Sequence, residues 1–279
     1  MFATLEIINP GKEMVIKMTT TIFEDVIVRA TKLDDLPVLH VFAASQAQTK
    51  LPTIIDYHGW TTPTSSELVA SYDLVRAGFR VILPTAYLHG SRNDGTNLAH
   101  HPEQFWNIVG HSVAEFPRLV EALVNQGITD PDRLGVMGTS MGGITASAIM
   151  ATQPDIKAGV SLIGSPAPVA FAKDQVAQLP AEWQAKLPAD LLTKTYAQLD
   201  PIDLSLHPER LAGRPMFFFN GTADTMVPYK YVQAFKEQFA ATPALSATIF
   251  KRAEGGVHHV PHKMHAAAVT FLQTHVKNS

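Results

Sequence analysis

The chain has no cysteine, which excludes disulfides, a thiolate nucleophile and any cysteine-ligated metal. Charge is scarce too: Asp, Glu, Lys and Arg make up 17% of 279 residues and nearly cancel at a net −3. So weak a field has no long-range pull on polyanions, so nucleic acid and anionic membrane surfaces are not expected as partners. No apolar run reaches the roughly twenty residues needed to cross a bilayer. Residues Met1 to Ile16 mix Glu6, Lys12 and Glu13 with apolar positions and lack the basic-then-apolar layout of a secretion signal. A cytoplasmic protein is the expectation, with Met14 and Met18 leaving the start open. Repeats and low-complexity tracts are missing as well.

What is present is apolar residue in quantity, 46% of the chain, enough for one large α/β core over residues 1–279. Phe23 to Ala30 and Leu36 to Ala44, separated by the turn-prone pair Asp34-Asp35, read as an antiparallel hairpin. Strands then alternate with helices. The strands are expected at Thr53 to Tyr57, Arg80 to Leu83, Leu134 to Met137, Ala158 to Ile163, Met216 to Phe219 and Ala247 to Phe250. Most are short apolar runs, as when helices cover both faces of a parallel sheet. Helices are expected at Ser65 to Ala77, Pro102 to Asn125, Met141 to Ala151, Tyr229 to Phe239 and Pro261 to Val276, with Pro117 kinking the second or dividing it in two. Right-handed crossovers make this a mostly parallel doubly wound sheet. Residues 166–208 interrupt the rhythm between two strands and are expected to form a helical cap.

Chemistry enters at Gly138-Thr139-Ser140-Met141-Gly142, a G-x-S-x-G run between a strand and a helix. A serine at the apex of such a turn is held in a strained conformation with its hydroxyl clear of the sheet, and the following helix aims unpaired N–H groups at the same spot. An acid and then a histidine follow in chain order, as a Ser-acid-His triad on this architecture requires. The acid is Asp224, just past the strand Met216 to Phe219, at the carboxyl edge where ligands gather in parallel sheets. An Asx turn is the plainer reading of the same residue. The base is His258 in Glu254-Gly255-Gly256-Val257-His258-His259, with His259 its rival. The turn Tyr57-His58-Gly59-Trp60 can present a backbone N–H to the nucleophile, so the N–H groups of Trp60 and Met141 are the candidate oxyanion hole. His58, Trp60 and His259 are candidates for the substrate pocket. At His89-Gly90-Ser91-Arg92, Arg92 is expected to pair with a carboxylate or a loop carbonyl, and His100-His101 to lie on the surface. Histidines 258, 259, 262 and 265 invite a metal, yet no H-E-x-x-H or other carboxylate pattern supports one. No metal and no cofactor are expected.

Together Asp56-Tyr57-His58-Gly59, His89-Gly90-Ser91-Arg92, Gln104-Phe105-Trp106, the pentapeptide around Ser140, Gly221-Thr222-Ala223-Asp224 and Val257-His258 resemble the α/β-hydrolase superfamily across nearly the whole chain. Within it they are similar to small bacterial carboxylesterases, dienelactone hydrolases and the catalytic domain of prolyl-oligopeptidase-type peptidases. The resemblance implies hydrolysis of short-chain acyl esters through Ser140, Asp224 and His258, on a small-molecule ester. Aminoacyl-peptidase or amidase action and a non-catalytic binding role on a hydrolase fold stand as alternatives. His259 and Pro117 depart from the group's pattern, and nothing in the sequence speaks to oligomeric state.

Overall fold

The computed structural model describes residues 14–16 and 25–278. Their backbone forms one nine-stranded sheet. Strand β1 (Met14–Ile16) pairs antiparallel with β2 (Val26–Leu33), which folds back on β3 (Leu36–Ala43). The link is a two-residue turn in which Asp34 and Asp35 take φ of 46° and 63°. Positive φ at both central positions is the geometry that matches hairpin twist, and Asp tolerates it. Phe23, the expected start of this hairpin, lies outside the described residues, as does most of the segment read against a secretion signal.

From β4 (Leu51–Tyr57) the chain alternates through α1 (Leu68–Arg76), β5 (Arg80–Pro84), α2 (Phe105–Asn125), β6 (Thr129–Thr139), α3 (Met141–Thr152) and β7 (Ala158–Leu162). Three helices follow, α4 (Pro168–Ala177), α5 (Ala181–Gln184) and α6 (Ala189–Leu199). Then come β8 (Met216–Gly221), α7 (Lys230–Phe239), β9 (Ile249–Ala253) and α8 (His262–Leu272). The strand order is β1-β2-β3-β5-β4-β6-β7-β8-β9, antiparallel through β3–β5 and parallel from β5–β4 onward. This is the α/β-hydrolase arrangement.

Side-chain alternation divides the core. Ile54, Met137, Phe217 and Phe219 face α1 and α8, whereas Ile55, Val136 and Phe218 face α2, α3 and α7. The period of two in the strands sends neighbours to opposite layers. Helix α3 is buried from Met141 to Ala151, which explains its lack of any polar face.

Of the two outcomes expected at Pro117, a kink or a division in two, the division is corrected: α2 is one helix of 21 residues. Proline removes one helical hydrogen bond, but Val113 and Phe116 before it and Leu119 and Leu123 after it are buried in one core cluster, and this shared face holds the two halves together. Strand β6 begins earlier than its apolar run because Leu51 pairs with Thr129. Of the insertion, α4 buries Val169, Phe171 and Ala172, while α5 and most of α6 are exposed. Among the described residues no helix is long and apolar enough to cross a membrane.

Candidate active site

Strand β6 ends at Thr139 and α3 starts at Met141, leaving Ser140 alone in the turn at φ 58° and ψ −115°. A non-glycine residue at such a φ is strained and persists only where the surroundings fix it. Its N–H donates to the Leu162 carbonyl at 2.8 Å and its carbonyl accepts from Ile144 at 3.0 Å. The flanking glycines are required by packing. A Cβ on Gly142 would run into the Tyr57 carbonyl, and one on Gly138 into the Gly142 carbonyl.

Asp224 follows β8 in a loop zipped to the one after β9. Thr222 N donates to the Ala253 carbonyl at 3.0 Å, Ala223 N to that of Gly256 at 2.8 Å, and Gly255 N to Thr222 Oγ1 at 2.8 Å. The Asp224 carboxylate is buried; Oδ1 accepts from Met226 N at 2.8 Å and Val227 N at 3.0 Å. The Asx-turn reading thus describes one oxygen. The other, Oδ2, lies 2.6 Å from His258 Nδ1, and His258 Nε2 lies 2.9 Å from Ser140 Oγ. Because a carboxylate only accepts when ionised, the ring hydrogen belongs on Nδ1 and Nε2 is left as acceptor for the serine O–H. His259 is exposed and lines the cavity beside the serine instead.

That cavity encloses about 510 Å³ and is lined by Trp60, Glu67, Ser140, Met226, His258 and His259 among others. Trp60 N–H and Met141 N–H bond to no other group among the described residues. The expectation of His58 in the pocket is corrected. It is 1% exposed, its Nδ1 donates to the Gly59 carbonyl at 2.9 Å, and its Nε2 accepts from Ala86 N at 3.1 Å. Both ring nitrogens are committed, so His58 braces the turn that carries Trp60 and offers nothing to a ligand. Burial holds its pKa down, to about 4. His89 does the same from the next loop, accepting from Thr61 N at 3.2 Å while Nδ1 donates to the Tyr87 carbonyl at 2.9 Å. Arg92 pairs with Glu115 and donates to the Thr85 carbonyl at 3.0 Å. His100 and His101 are exposed.

Two carboxyl groups beside the serine escaped the sequence reading. Asp56, on β4, has no exposure and neither oxygen has a partner. Glu67, 6% exposed, accepts from Ser66 Oγ at 2.9 Å and from Thr139 Oγ1 at 3.2 Å. Burial, then the charge of Glu67, pushes Asp56 well above the carboxylate range. Burial also raises Glu67, against the pull of its two hydroxyl donors. A group raised in the folded state supplies stability below its unfolded pKa and loses it as pH rises. Asp56→Asn removes that loss, so its unfolding free energy relative to wild type, from denaturant midpoints at each pH, should move in the variant's favour between pH 5 and pH 8 by up to about 1.4 kcal/mol for each pH unit below the folded pKa. A constant difference across that range would show that Asp56 is already ionised in the folded protein at pH 5.

Comparison with known proteins places this geometry. The model of the prolyl oligopeptidase family matches residues 70–278. YitV of Bacillus subtilis is 31% identical over 86% of this chain and 96% of its own length. The esterase YjfP of Escherichia coli is 33% identical over 89% of this chain and 99% of its own. Among solved structures, TT1662 from Thermus thermophilus superposes with a TM-score of 0.70 at 19% identity, covering 89% of this chain and 97% of that one.

Proposed function

This chain belongs to the prolyl oligopeptidase family, and from that premise we propose that it is a serine carboxylesterase acting on small esters with short acyl chains. The observation that carries the reading is the continuous line Asp224 Oδ2, His258, Ser140 Oγ, with contacts of 2.6 and 2.9 Å. That the relative YjfP is named an esterase supports the ester reading.

In the proposed reaction Ser140 Oγ bonds to the ester carbonyl carbon while His258 Nε2 takes the hydroxyl proton and Asp224 steadies the imidazolium. The carbonyl oxygen, now negative, is received by the N–H groups of Trp60 and Met141. Collapse breaks the bond to the alcohol oxygen, which leaves with the proton from His258. Water then attacks the acyl-serine by the same route, releasing the acid and restoring the serine. The cavity volume and the exposed wall at Met226 and His259 suit a short acyl group with room for a varied alcohol.

Within the same reading, residues 166–208 act as a helical cap on the single domain. Its α4 places Phe171 in ring contact with Phe105 at 6.4 Å and Trp106 at 5.7 Å, and Phe105 meets Trp60 at 5.5 Å. The cap thus reaches Trp60, one of the residues that line the cavity, through Phe105. Amidase or peptidase action is the second reading, carried by the family match.

The test is covalent. A fluorophosphonate probe should label the protein once, at Ser140 by peptide mass, and ester turnover should stop in proportion. Absence of labelling on folded protein would remove the esterase reading and leave a binding role on a hydrolase fold. Turnover of an aminoacyl anilide faster than of a p-nitrophenyl ester would favour the peptidase reading.

A further inference from the structure

Glu67 is the one carboxylate that lines the cavity among the described residues, and neither lysine nor arginine lines it. The other titratable residues that line the cavity are His258 and His259 from the loop after β9 and His265 from α8, and the charge of Glu67 also acts on Asp56 of β4. Burial lowers the pKa of His265.

The hydrogen bonds distinguish the two carboxyl groups. Glu67 has two hydroxyls in reach, Thr139 Oγ1 at 3.2 Å and Ser66 Oγ at 2.9 Å, the latter shared with the Pro63 carbonyl at 2.8 Å, which favours an ionised group. Asp56 has no exposure and no donor to either oxygen. A buried carboxylate with nothing to receive its charge is the costlier of the two to ionise. Of the two, Glu67 is therefore the easier to ionise and Asp56 the easier to keep protonated, and Glu67 sits at the wall next to Thr139, the residue that precedes Ser140.

We propose that Glu67, the easier of the two to ionise, selects substrates by charge, admitting esters whose remaining groups are uncharged and turning away those that carry a carboxylate. The inference rests on the esterase reading and adds to it the electrical class of the substrate. Two like charges some 6–10 Å apart in partly buried surroundings repel enough for about a 10- to 100-fold difference in kcat/KM.

A matched pair of substrates tests it: p-nitrophenyl butyrate, uncharged, and the p-nitrophenyl monoester of succinate, which has the same acyl length and a terminal carboxylate. At pH 8 the ratio of kcat/KM, succinate over butyrate, should be low in wild type. It should rise tenfold or more in Glu67→Gln and stay within about twofold of wild type in Asp56→Asn. Glu67→Ala reads the same ratio should the glutamine variant not fold. An unchanged ratio in the Glu67 variants, or a rise in Asp56→Asn alone, overturns the assignment. No hydrolysis of the butyrate by any of the proteins, wild type included, would instead overturn the esterase reading, and the selection with it.

Discussion

Ser140→Ala should lower kcat/KM on a neutral p-nitrophenyl ester by about a million-fold, with the thermal midpoint close to wild type. The hydroxyl is the atom that forms the new bond, and no cysteine or second hydroxyl shares the contact with His258 Nε2. Alanine at φ 58° carries the same backbone strain as the serine it replaces, so what is lost is chemistry and one hydrogen bond. His258→Ala should cost about as much, and the double variant little more, because the two groups act as a unit. Kinetics on the three variants with circular dichroism as the fold control measure this. Activity of Ser140→Ala within a hundredfold of wild type would end the acyl-serine mechanism.

Asp224→Asn comes next, at a loss of about ten-thousand-fold in kcat with the fold kept. Oδ1 accepts from Met226 N and Val227 N, and an asparagine oxygen there can keep both bonds. Its amide group then faces His258 Nδ1 as a donor. The ring must become an acceptor at Nδ1, so its hydrogen moves to Nε2, where it points at the serine and cannot take that proton. The loss should fall on kcat, and fluorophosphonate labelling of Ser140 should slow in parallel. A loss below tenfold would mean that Asp224 only shapes its loop.

The architecture was legible because the strands carry their own punctuation. Short apolar runs such as Met216 to Phe219 end in glycine-bearing loops, and Asp34-Asp35 marks the hairpin without help from the rest of the chain. Ser140, Asp224 and His258 were legible from order and local context, which a fold with a fixed sheet edge converts into proximity. What was not legible depends on who sits across the sheet. His58 looked free in a His-Gly turn and is consumed by Ala86, 28 positions away. Asp56 reads as one letter in a strand end, and only the pairing of β4 beside β6, with the charge of Glu67 nearby, makes it an orphaned acid. Pro117 reads as a breaker, whereas a face buried on both sides of it makes one helix.

The imidazoles of His58 and His89 impose an acid limit of their own on the machinery they support. Each holds a backbone N–H by a lone pair, from Ala86 and Thr61 respectively, and a ring that takes up a proton has no lone pair left to lend. His58 is kept neutral down to about pH 4, below its ordinary 6.5, so its support is complete above the ordinary value and gives way as acidity passes the lower one. Souring the solution would therefore unfasten the segment bearing Trp60 as a mechanical event, and neutralising it would let the segment fasten again.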